Sequence, residues 1–461
     1  MLNILWIQTD EQRTDSLACY GNPRVRTPNL DALAARGAVF LNHQTQSPVC
    51  VPSRVSELTS RYPHQTGILN NSGHYTWGRW PKGVAAFPEL FAAAGYVTVN
   101  LGKYHTPHHP TWLENWHFEW FPGEAGFTGL APGFDEAEHE VIHLGGRPDS
   151  VIVSGRYPEV AQGRTPQSHL VDQALDWLGM YSHVRRPFLM RVSFLAPHTP
   201  VLAPEPFYGM YDAADMDWDV PTADLLASRP CYEIPESGDK HAAYRAHTDA
   251  EYRRMRCTYY GLVSHVDQQV GRLLDGLAEL GLLEQTLVVY TSDHGDLMGE
   301  YGQFQKGVFY DITTRVPCII AGPGVEAGSR QVGLSEGVDL APTLLRMAGL
   351  PVPDEMVGQD LFHEPPRPDV IGEICLPRGG VPVRRSWIRT AHWSLDVNTQ
   401  IDGAPAPCEL RDGKLTDLIA DPLEHVNLYH TPAYAEVVGE LEARLDERTR
   451  EGRLSSPVAV D

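Results

Sequence analysis

The stretch Leu287-Val288-Val289-Tyr290-Thr291-Ser292-Asp293-His294 sets a short apolar run directly before a carboxylate and an imidazole. Residues 249–280, which precede it, carry apolar side chains at helical spacing, and Gly281 ends that pattern. A short, β-prone run after a helix is typical of a parallel strand that is buried on both faces. The stretch therefore predicts one helix–strand unit of a parallel sheet, with Asp293 and His294 at the carboxyl end of its strand.

The same alternation of helical and strand-like patterns extends over most of the chain before residue 350. It predicts an α/β fold, in which a large, mostly parallel sheet is sandwiched by helices. Ligands of such sheets bind beyond the carboxyl ends of the strands, and each polar cluster considered below follows one of these runs. The further strand-like runs are residues 3–8, 97–101, 188–194 and 316–320, and a helix that Thr27 or Asn29 would cap runs to Arg36.

The chain from about Pro351 has a different character. It is rich in proline, has strand candidates at residues 387–390 and 393–397, and closes with a helical pattern over residues 433–450. We therefore predict a main domain over residues 1–350 and a smaller α+β subdomain over residues 351–461.

Composition and charge exclude some classes of partner. The 461 residues are 42% hydrophobic and 21% charged, which is ordinary for a globular protein. The formal net charge of -22 disfavours nucleic acid and anionic membranes, since both favour clustered cations. A small anionic substrate stays compatible, because a few local cations and a metal ion can reverse the field in one pocket. No run approaches 18 apolar residues, so no membrane span is expected.

The cysteines and the first residues bear on the compartment. Residues 2–7 are apolar, but they lack a basic region and a cleavage site, and the polar Gln8 follows directly, which favours a strand over a signal peptide. The seven cysteines are odd in number and form no CxxC pair. They predict reduced thiols and a cytoplasmic protein.

Cys50 alone has a motif around it, Cys50-Val51-Pro52-Ser53-Arg54. By chance, C-x-P-S-R is expected in on the order of one chain in a thousand. The motif resembles the signature of the sulfatases, in which a formylglycine-generating enzyme oxidises the cysteine to formylglycine. A hydrated aldehyde has two hydroxyls on one carbon, so that one attacks sulfur and the other later expels sulfate. Taken alone, the motif also fits a buried structural cysteine that precedes a helix started by a proline.

The resemblance extends along the chain in five clusters that keep the family's order. They are the opening (residues 3–13, 19–23 and 27–31), the Cys50 motif, residues 102–105, residues 196–200, and residues 291–296 with 299–302 and 305–307. Membership of this family implies an alkaline-phosphatase-like fold, with the catalytic domain over residues 1–350. It also implies the hydrolysis of a sulfate monoester.

The resemblance implies one divalent metal ion, with calcium favoured and manganese or magnesium as alternatives. A carboxylate and an imidazole after a buried strand suit such an ion. Relatives have a second acid or a glutamine next to the first aspartate, so whether Glu11 ligates directly stays open. The implied metal residues are Asp10, Glu11, Cys50, Asp293 and His294.

The resemblance also assigns catalytic roles. Lys103 would contact the sulfate and His105 would help to regenerate the aldehyde. His198 with Lys306 would protonate the departing ester oxygen. Arg54 would add positive charge around the sulfuryl group.

Each of these residues has an alternative structural reading when it is taken singly. A lone lysine is commonly a surface residue, and a lone histidine at a strand end commonly a hydrogen-bonding one. The matched order of the clusters favours the functional reading. Asn71 is the candidate substrate-binding residue, near the transferred group.

Three other functions compete with sulfate ester hydrolysis. A phosphonate monoester or phosphodiester hydrolase of the same superfamily typically lacks the pair formed here by Lys103 and His105. A non-catalytic, ligand-binding relative would not keep every catalytic position. An alkaline phosphatase would need a serine or threonine nucleophile and more zinc ligands, and the group His105, His108 and His109 is an incomplete zinc site.

The substrate is predicted only as a small sulfate ester. Aryl, choline, alkyl and sugar sulfates all stay open, as does a homo-oligomeric state. Residues 131–166 and 203–239 are candidate substrate-side insertions. Five tryptophans could wall a pocket or bind a cation, or simply pack the loops; they are Trp77, Trp80, Trp112, Trp116 and Trp120.

Overall fold

The structure is a computed structural model. It describes residues 2–71, 80–81, 83–107, 118–120, 137–144, 153–157, 165–184, 186–216, 225, 229–230, 247–378, 381–401, 403–405 and 411–451. The strands β1 to β16 are Asn3–Asp10, Gly37–Gln44, Val97–Gly102, Phe118–Trp120, Ile142–His143, Val153–Arg156, Phe188–Pro197, Val201–Ala203, Thr286–Ser292, Cys318–Ala321, Ser329–Glu336, Asp369–Arg378, Val381–Thr390, Trp393–Ile401, Ala404–Pro405 and Gly413–Asp417. The helices α1 to α9 are Pro28–Ala35, Cys50–Thr59, Pro63–Thr66, Phe87–Ala93, Pro166–Tyr181, Asp249–Glu279, Asp311–Thr314, Leu340–Met347 and Ala435–Glu451.

The main sheet has eight strands in the order β11-β2-β10-β9-β1-β7-β3-β4. Its pairings are parallel except those of β10, which runs antiparallel to β2 and β9. Along β1, Leu5 and Ile7 pack with α1, α5 and α6, whereas Ile4 and Trp6 pack with α2, α4 and α8. This alternation puts helices on both faces, so the predicted α/β sandwich is confirmed.

The structure differs from the sequence patterns in its details. Strand β10 is short and antiparallel, although its apolar run resembled those of the parallel strands. Helix α1 starts after Thr27 as predicted, but the side chain of Thr27 does not cap it. Instead the carboxylate of Asp267 on α6 accepts from the backbone N–H groups of Asn29 (3.2 Å) and Leu30 (2.8 Å). A distant residue thus supplies the acceptor that a local cap would have given.

The C-terminal part is an antiparallel sheet, β12-β13-β14-β15, with β16 also paired to β14. Leu441 and Leu445 of α9 pack against this sheet at Ile388 and Leu395. The predicted smaller α+β unit is therefore confirmed, while its boundary at residue 350 stays a prediction. A third, small sheet, β5-β6-β8, pairs two strands of the first predicted insertion with β8, which ends at the first residue of the second. Most residues of both insertions lie outside the described ranges.

Within the residues described, no helix combines the length and the apolar character that crossing a membrane requires.

Buried ions join the C-terminal sheet to the main domain. Glu373 of β12 is fully buried and pairs with Arg384 and with His64, whose Nδ1 lies 2.6 Å from Oε2. Burial opposes ionisation of Glu373, but Arg384 and His64 hold the pKa of its carboxyl well below the ordinary value. A second pair, Arg367 with Asp339, lies at the same junction with an N–O distance of 2.6 Å.

We predict that Glu373→Gln destabilises the protein in a pH-dependent manner. The contribution of a carboxyl with a lowered pKa is present above its unfolded-state pKa of about 4.3 and is lost as the pH falls further. At pH 7 the variant should therefore lose about 3 kcal/mol of unfolding free energy, and this difference should shrink below about pH 4. Urea unfolding at several pH values measures it.

The matched control is Glu364→Gln, because Glu364 pairs with Arg346 at the surface. It should change the unfolding free energy by less than about 0.5 kcal/mol. A difference between wild type and Glu373→Gln that stayed constant from pH 7 to pH 3 would contradict the assigned cause.

Candidate active site

The sheet order explains why residues far apart in sequence meet at one edge. Strands β9, β1, β7 and β3 are neighbours in that order, and all four run parallel. Asp10 ends β1, His294 follows β9, His198 follows β7 and Lys103 follows β3. Their carboxyl ends therefore bring the sequence-predicted clusters together.

Cys50 is the first residue of α2 and is 1% exposed. Its Sγ lies 3.1 Å from Nζ of Lys306, 3.2 Å from Nε2 of His294 and 3.8 Å from Nζ of Lys103. Burial alone would raise the pKa of the Cys50 thiol, but these three cations lower it well below its ordinary value. A hydrogen bond from His105 acts in the same direction, so residue 50 lies in a strongly electropositive environment.

Arg54 lies one helical turn after Cys50 and is fully buried. Its Nε donates to Oδ2 of Asp293 at 2.7 Å, and Nη2 donates to Oδ2 of Asp10 at 2.8 Å. Its Nη1 donates to the hydroxyl of Ser193 at 2.9 Å. Nη1 also donates to Oε1 of Gln8 at 3.4 Å and to the carbonyl of Lys103 at 3.3 Å. The guanidinium therefore holds the two carboxylates together from within the protein.

One atom from each of Asp10, Cys50, Asp293 and His294 belongs to a buried group in which all atoms lie within 4.8 Å of one another. Nδ1 of His294 donates to the carbonyl of Gly295 at 3.0 Å, so Nε2 is the nitrogen that faces Cys50. Two carboxylates and an oriented imidazole fit a divalent cation. The structure thus brings together four of the five predicted metal residues.

Glu11 belongs to a second group, with Asp10 and His198. Its Oε1 lies 2.5 Å from Nζ of Lys306 and 3.4 Å from Nε2 of His198. Its backbone has a φ of 63°, in the left-handed region, directly after the end of β1. Direct ligation by Glu11 stays a prediction.

The loop after β3 depends on Gly102. Its φ is +86°, and a Cβ there would lie 2.1 Å from the carbonyl oxygen of Ser193. The next residue, Lys103, donates its backbone N–H to that same oxygen at 2.7 Å. Nζ of Lys103 then reaches Oδ2 of Asp10 at 2.5 Å. His105, with a φ of 44°, completes this turn.

Two further candidate residues have well-defined contacts. Oδ1 of Asn71 accepts from the backbone N–H of Val51 at 2.9 Å, so Asn71 holds the first turn of α2. Trp80 is buried, and its Nε1 donates to the carbonyl of Val84 at 2.6 Å, so it packs its loop rather than lining a pocket. Trp77, Trp112, Trp116 and the side chain of Trp120 lie outside the described residues.

Sequence reasoning missed several polar residues beneath the site. Gln8 of β1 donates to Glu57 at 2.5 Å and accepts from Arg191 at 3.0 Å. Burial and Asp293 raise the pKa of Glu57 to about 8. These residues could have been noticed as polar residues within otherwise apolar strands. A single sequence does not show which of them point towards a site.

The chain is similar to several known proteins. A family model described as Sulfatase matches residues 2–350. Iduronate 2-sulfatase from Mus musculus is 31% identical over 390 residues, which are 76% of this chain and 69% of that protein. N-acetylglucosamine-6-O-sulfatase from Bacteroides thetaiotaomicron is 28% identical and covers 99% of this chain and 87% of its own. Choline-sulfatase from Rhizobium meliloti is 29% identical, and the match covers 93% of this chain and 83% of that protein.

Solved structures share the fold. A phosphonate monoester hydrolase from Silicibacter pomeroyi has a TM-score of 0.78 at 23% identity and covers 98% of this chain and 96% of its own. A protein solved in complex with its substrate, D-glucosamine-2-N,6-O-disulfate, has a TM-score of 0.75 at 22% identity and covers 100% of both chains. At these identities the likeness establishes the alkaline-phosphatase-like architecture.

We predict that Asp293→Asn weakens binding of one divalent cation at least tenfold, because it removes one of the two carboxylates of the buried group. Calorimetric titration of the metal-free protein with calcium measures the stoichiometry and affinity. The matched control is Glu57→Gln, a buried carboxyl of the same helix as Cys50 that lies outside the group. Equal calcium affinity in Asp293→Asn and wild type would contradict this ligand assignment.

Proposed function

The chain belongs to the sulfatase family and is a sulfate ester hydrolase, and we propose that it cleaves a small sulfate monoester with a nucleophile made from Cys50. The observation that carries this proposal is the surrounding of Cys50 Sγ. Lys306, His294 and Lys103 lie within 3.8 Å of that sulfur, beside a buried pair of carboxylates. An anionic group at residue 50 would thus meet the fixed positive charge of the two lysines.

Maturation of Cys50 by a formylglycine-generating enzyme is part of the proposal. The hydrated aldehyde would supply two hydroxyls on one carbon, one to attack sulfur and one to release sulfate. Residue 50 at the start of α2 suits this task, because the N-terminus of a helix stabilises negative charge. Asn71 supports that first turn through Val51.

We propose that Asp10, Asp293 and His294 hold one divalent ion, with calcium favoured and manganese or magnesium as alternatives. The ion would supply positive charge to the sulfuryl oxygens and lower the pKa of a hydroxyl at residue 50. Arg54 keeps the two carboxylates in place for it. Glu11 is retained as a further candidate ligand.

The remaining side chains have separate roles in the cleavage of the ester. Lys103 and Lys306, whose Nζ atoms lie 3.8 Å and 3.1 Å from Sγ of Cys50, stabilise the sulfuryl oxygens. Lys306 and His198 protonate the departing oxygen, and Glu11 lies against both of their nitrogens. His105 takes the proton from the hydroxyl that remains at residue 50 as sulfate leaves.

Phosphonate monoester hydrolysis is the second candidate, and the TM-score of 0.78 to such an enzyme motivates it. Two observations favour sulfate. Lys103 and His105 both reach Cys50, and enzymes of the phosphonate type typically lack this pair. The relatives that cover most of this chain are named as sulfatases.

The relatives act on different alcohols, so the proposal extends to the sulfate monoester and leaves the alcohol open. Their names include iduronate, N-acetylglucosamine, choline and aryl sulfatases. A cytoplasmic location and a homo-oligomeric state stay predictions of the sequence.

We predict that Cys50→Ala lowers sulfate release by about three orders of magnitude or more, because the variant has no nucleophile. The assay uses protein produced together with a formylglycine-generating enzyme and a panel of aryl, choline, alkyl and sugar sulfates. Peptide mass spectrometry of the wild type should show an aldehyde at residue 50.

The matched control is Cys257→Ala, another buried cysteine, on α6, which should keep its activity. Circular dichroism and thermal unfolding show whether each variant is folded. A folded Cys50→Ala protein that retained a tenth of the wild-type rate would overturn the proposal.

A further inference from the structure

Lys306 lies in a segment that we call the lysine loop, residues 305–311. The backbone is turned on both sides of the lysine, with φ of 66° at Gln305 and 93° at Gly307. The carbonyl of Gln305 accepts from the N–H of Leu297 at 2.7 Å. The N–H of Gly307 donates to the carbonyl of Pro48 at 3.0 Å, two residues before Cys50. The backbone of the lysine is thus tied to the segment that carries the nucleophile.

The C-terminal sheet contacts the lysine loop at every second residue. Nη1 of Arg385 on β13 donates to the carbonyl of Gly307 at 3.2 Å. Lys414 of β16 donates to the carbonyl of Phe309 at 2.8 Å. Arg389, also on β13, pairs with the carboxylate of Asp311. The three cations thus come from β13 and β16 of one sheet, and Arg385 is the one whose contact lies next to Lys306.

Arg385 is itself held firmly. It is 3% exposed and pairs through Nε and Nη2 with the carboxylate of Asp396, which is fully buried on the adjacent strand β14. Its guanidinium lies 5.5 Å from the ring centroid of Phe309, and that ring stacks on Trp387 at 5.5 Å. A guanidinium can bind a carboxylate through one edge and a carbonyl through another nitrogen, which an ammonium cannot do with the same geometry.

From these contacts we infer that Arg385, oriented by Asp396, is a positioning residue for Lys306. It fixes the carbonyl of Gly307 and thereby the direction in which the lysine ammonium points. The inference rests on the proposed role of Lys306 as a donor to the departing oxygen. Both Arg385 and Asp396 lie beyond residue 350, where the match to the family model ends. The C-terminal subdomain is then a part of the catalytic unit.

The position of the ammonium matters because it lies between the carboxylate of Glu11 and residue 50. Nζ of Lys306 lies 2.5 Å from Glu11 and 3.1 Å from Sγ of Cys50. A loop freed at Gly307 would let the ammonium follow Glu11 away from residue 50. A misplacement of about 1 Å can cost on the order of a hundredfold in rate. The rate should therefore fall most for substrates whose departing oxygen must be protonated.

The test compares an alkyl sulfate with nitrophenyl sulfate in the full-length, matured enzyme. The variant is Arg385→Met combined with Asp396→Asn, so that neither charge of the buried pair stays without its partner. We expect kcat/KM for the alkyl sulfate to fall about tenfold more than that for nitrophenyl sulfate, because nitrophenolate leaves with little protonation. Lys306→Ala is the reference variant, and its kcat/KM for the alkyl sulfate should fall selectively by a larger factor.

The matched control is Arg367→Met with Asp339→Asn, a buried pair of the same junction that does not contact the lysine loop. It should lower the stability of the protein and change kcat/KM for the two substrates by the same factor. Arg385→Lys keeps the charge against Asp396 and should therefore fold; its selective loss should be about threefold. This variant keeps the inference testable if the double variant does not fold.

The outcomes separate the inference from the proposed function. If Lys306→Ala slows the alkyl sulfate selectively while both Arg385 variants do not, Arg385 does not position the lysine and the inference is overturned. If Lys306→Ala itself slows both substrates equally, the proposed role of Lys306 fails, and the inference fails with it. A selective loss in the Arg367 and Asp339 control would also overturn it, since the effect would then not be specific to the lysine loop.

Discussion

The site depends on one buried guanidinium. Arg54 donates to Asp293 and to Asp10, two carboxylates that would repel each other at the carboxyl ends of adjacent strands. The motif around Cys50 can be understood from this contact. One helical turn separates Cys50 from Arg54, so the helix that carries the nucleophile precursor also neutralises the carboxylates, and Ser53 donates to the carbonyl of Asp293 at 2.6 Å. Removing the arginine would take one partner from a buried ion-pair network, a change that costs about 3–5 kcal/mol.

The charge distribution follows from the same arrangement. The chain carries a net charge of -22, yet the sulfur of Cys50 faces Lys103, Lys306 and His294. Acids pair with the two lysines, Asp10 with Lys103 and Glu11 with Lys306. A sulfuryl group would thus enter a locally positive pocket in an acidic protein, and the surface charge would not indicate the sign of the substrate.

Local patterns predicted the strands that carry the site, and the carboxyl-edge rule then predicted that Asp10, Asp293, His294 and Lys103 would meet. What the sequence could not show depends on contacts between distant residues. The antiparallel direction of β10 is set by its neighbours, and the cap of α1 comes from Asp267, more than 200 positions away. The inward contacts of Arg54 depend on how α2 lies on the sheet. Likewise, the contacts between the C-terminal cations and the lysine loop join two distant parts of the chain, and their spacing in the sequence does not predict them.

The central claim is that this arrangement selects sulfur over phosphorus in the transferred group, although the architecture is shared with a phosphonate monoester hydrolase. The direct measurement is kcat/KM of the matured, metal-loaded enzyme for nitrophenyl sulfate and for a nitrophenyl phenylphosphonate under the same conditions. Lys103 and His105 beside residue 50 predict the larger value for the sulfate. A preference of tenfold or more for the phosphonate, equal to about 1.4 kcal/mol of transition-state stabilisation, would contradict the account.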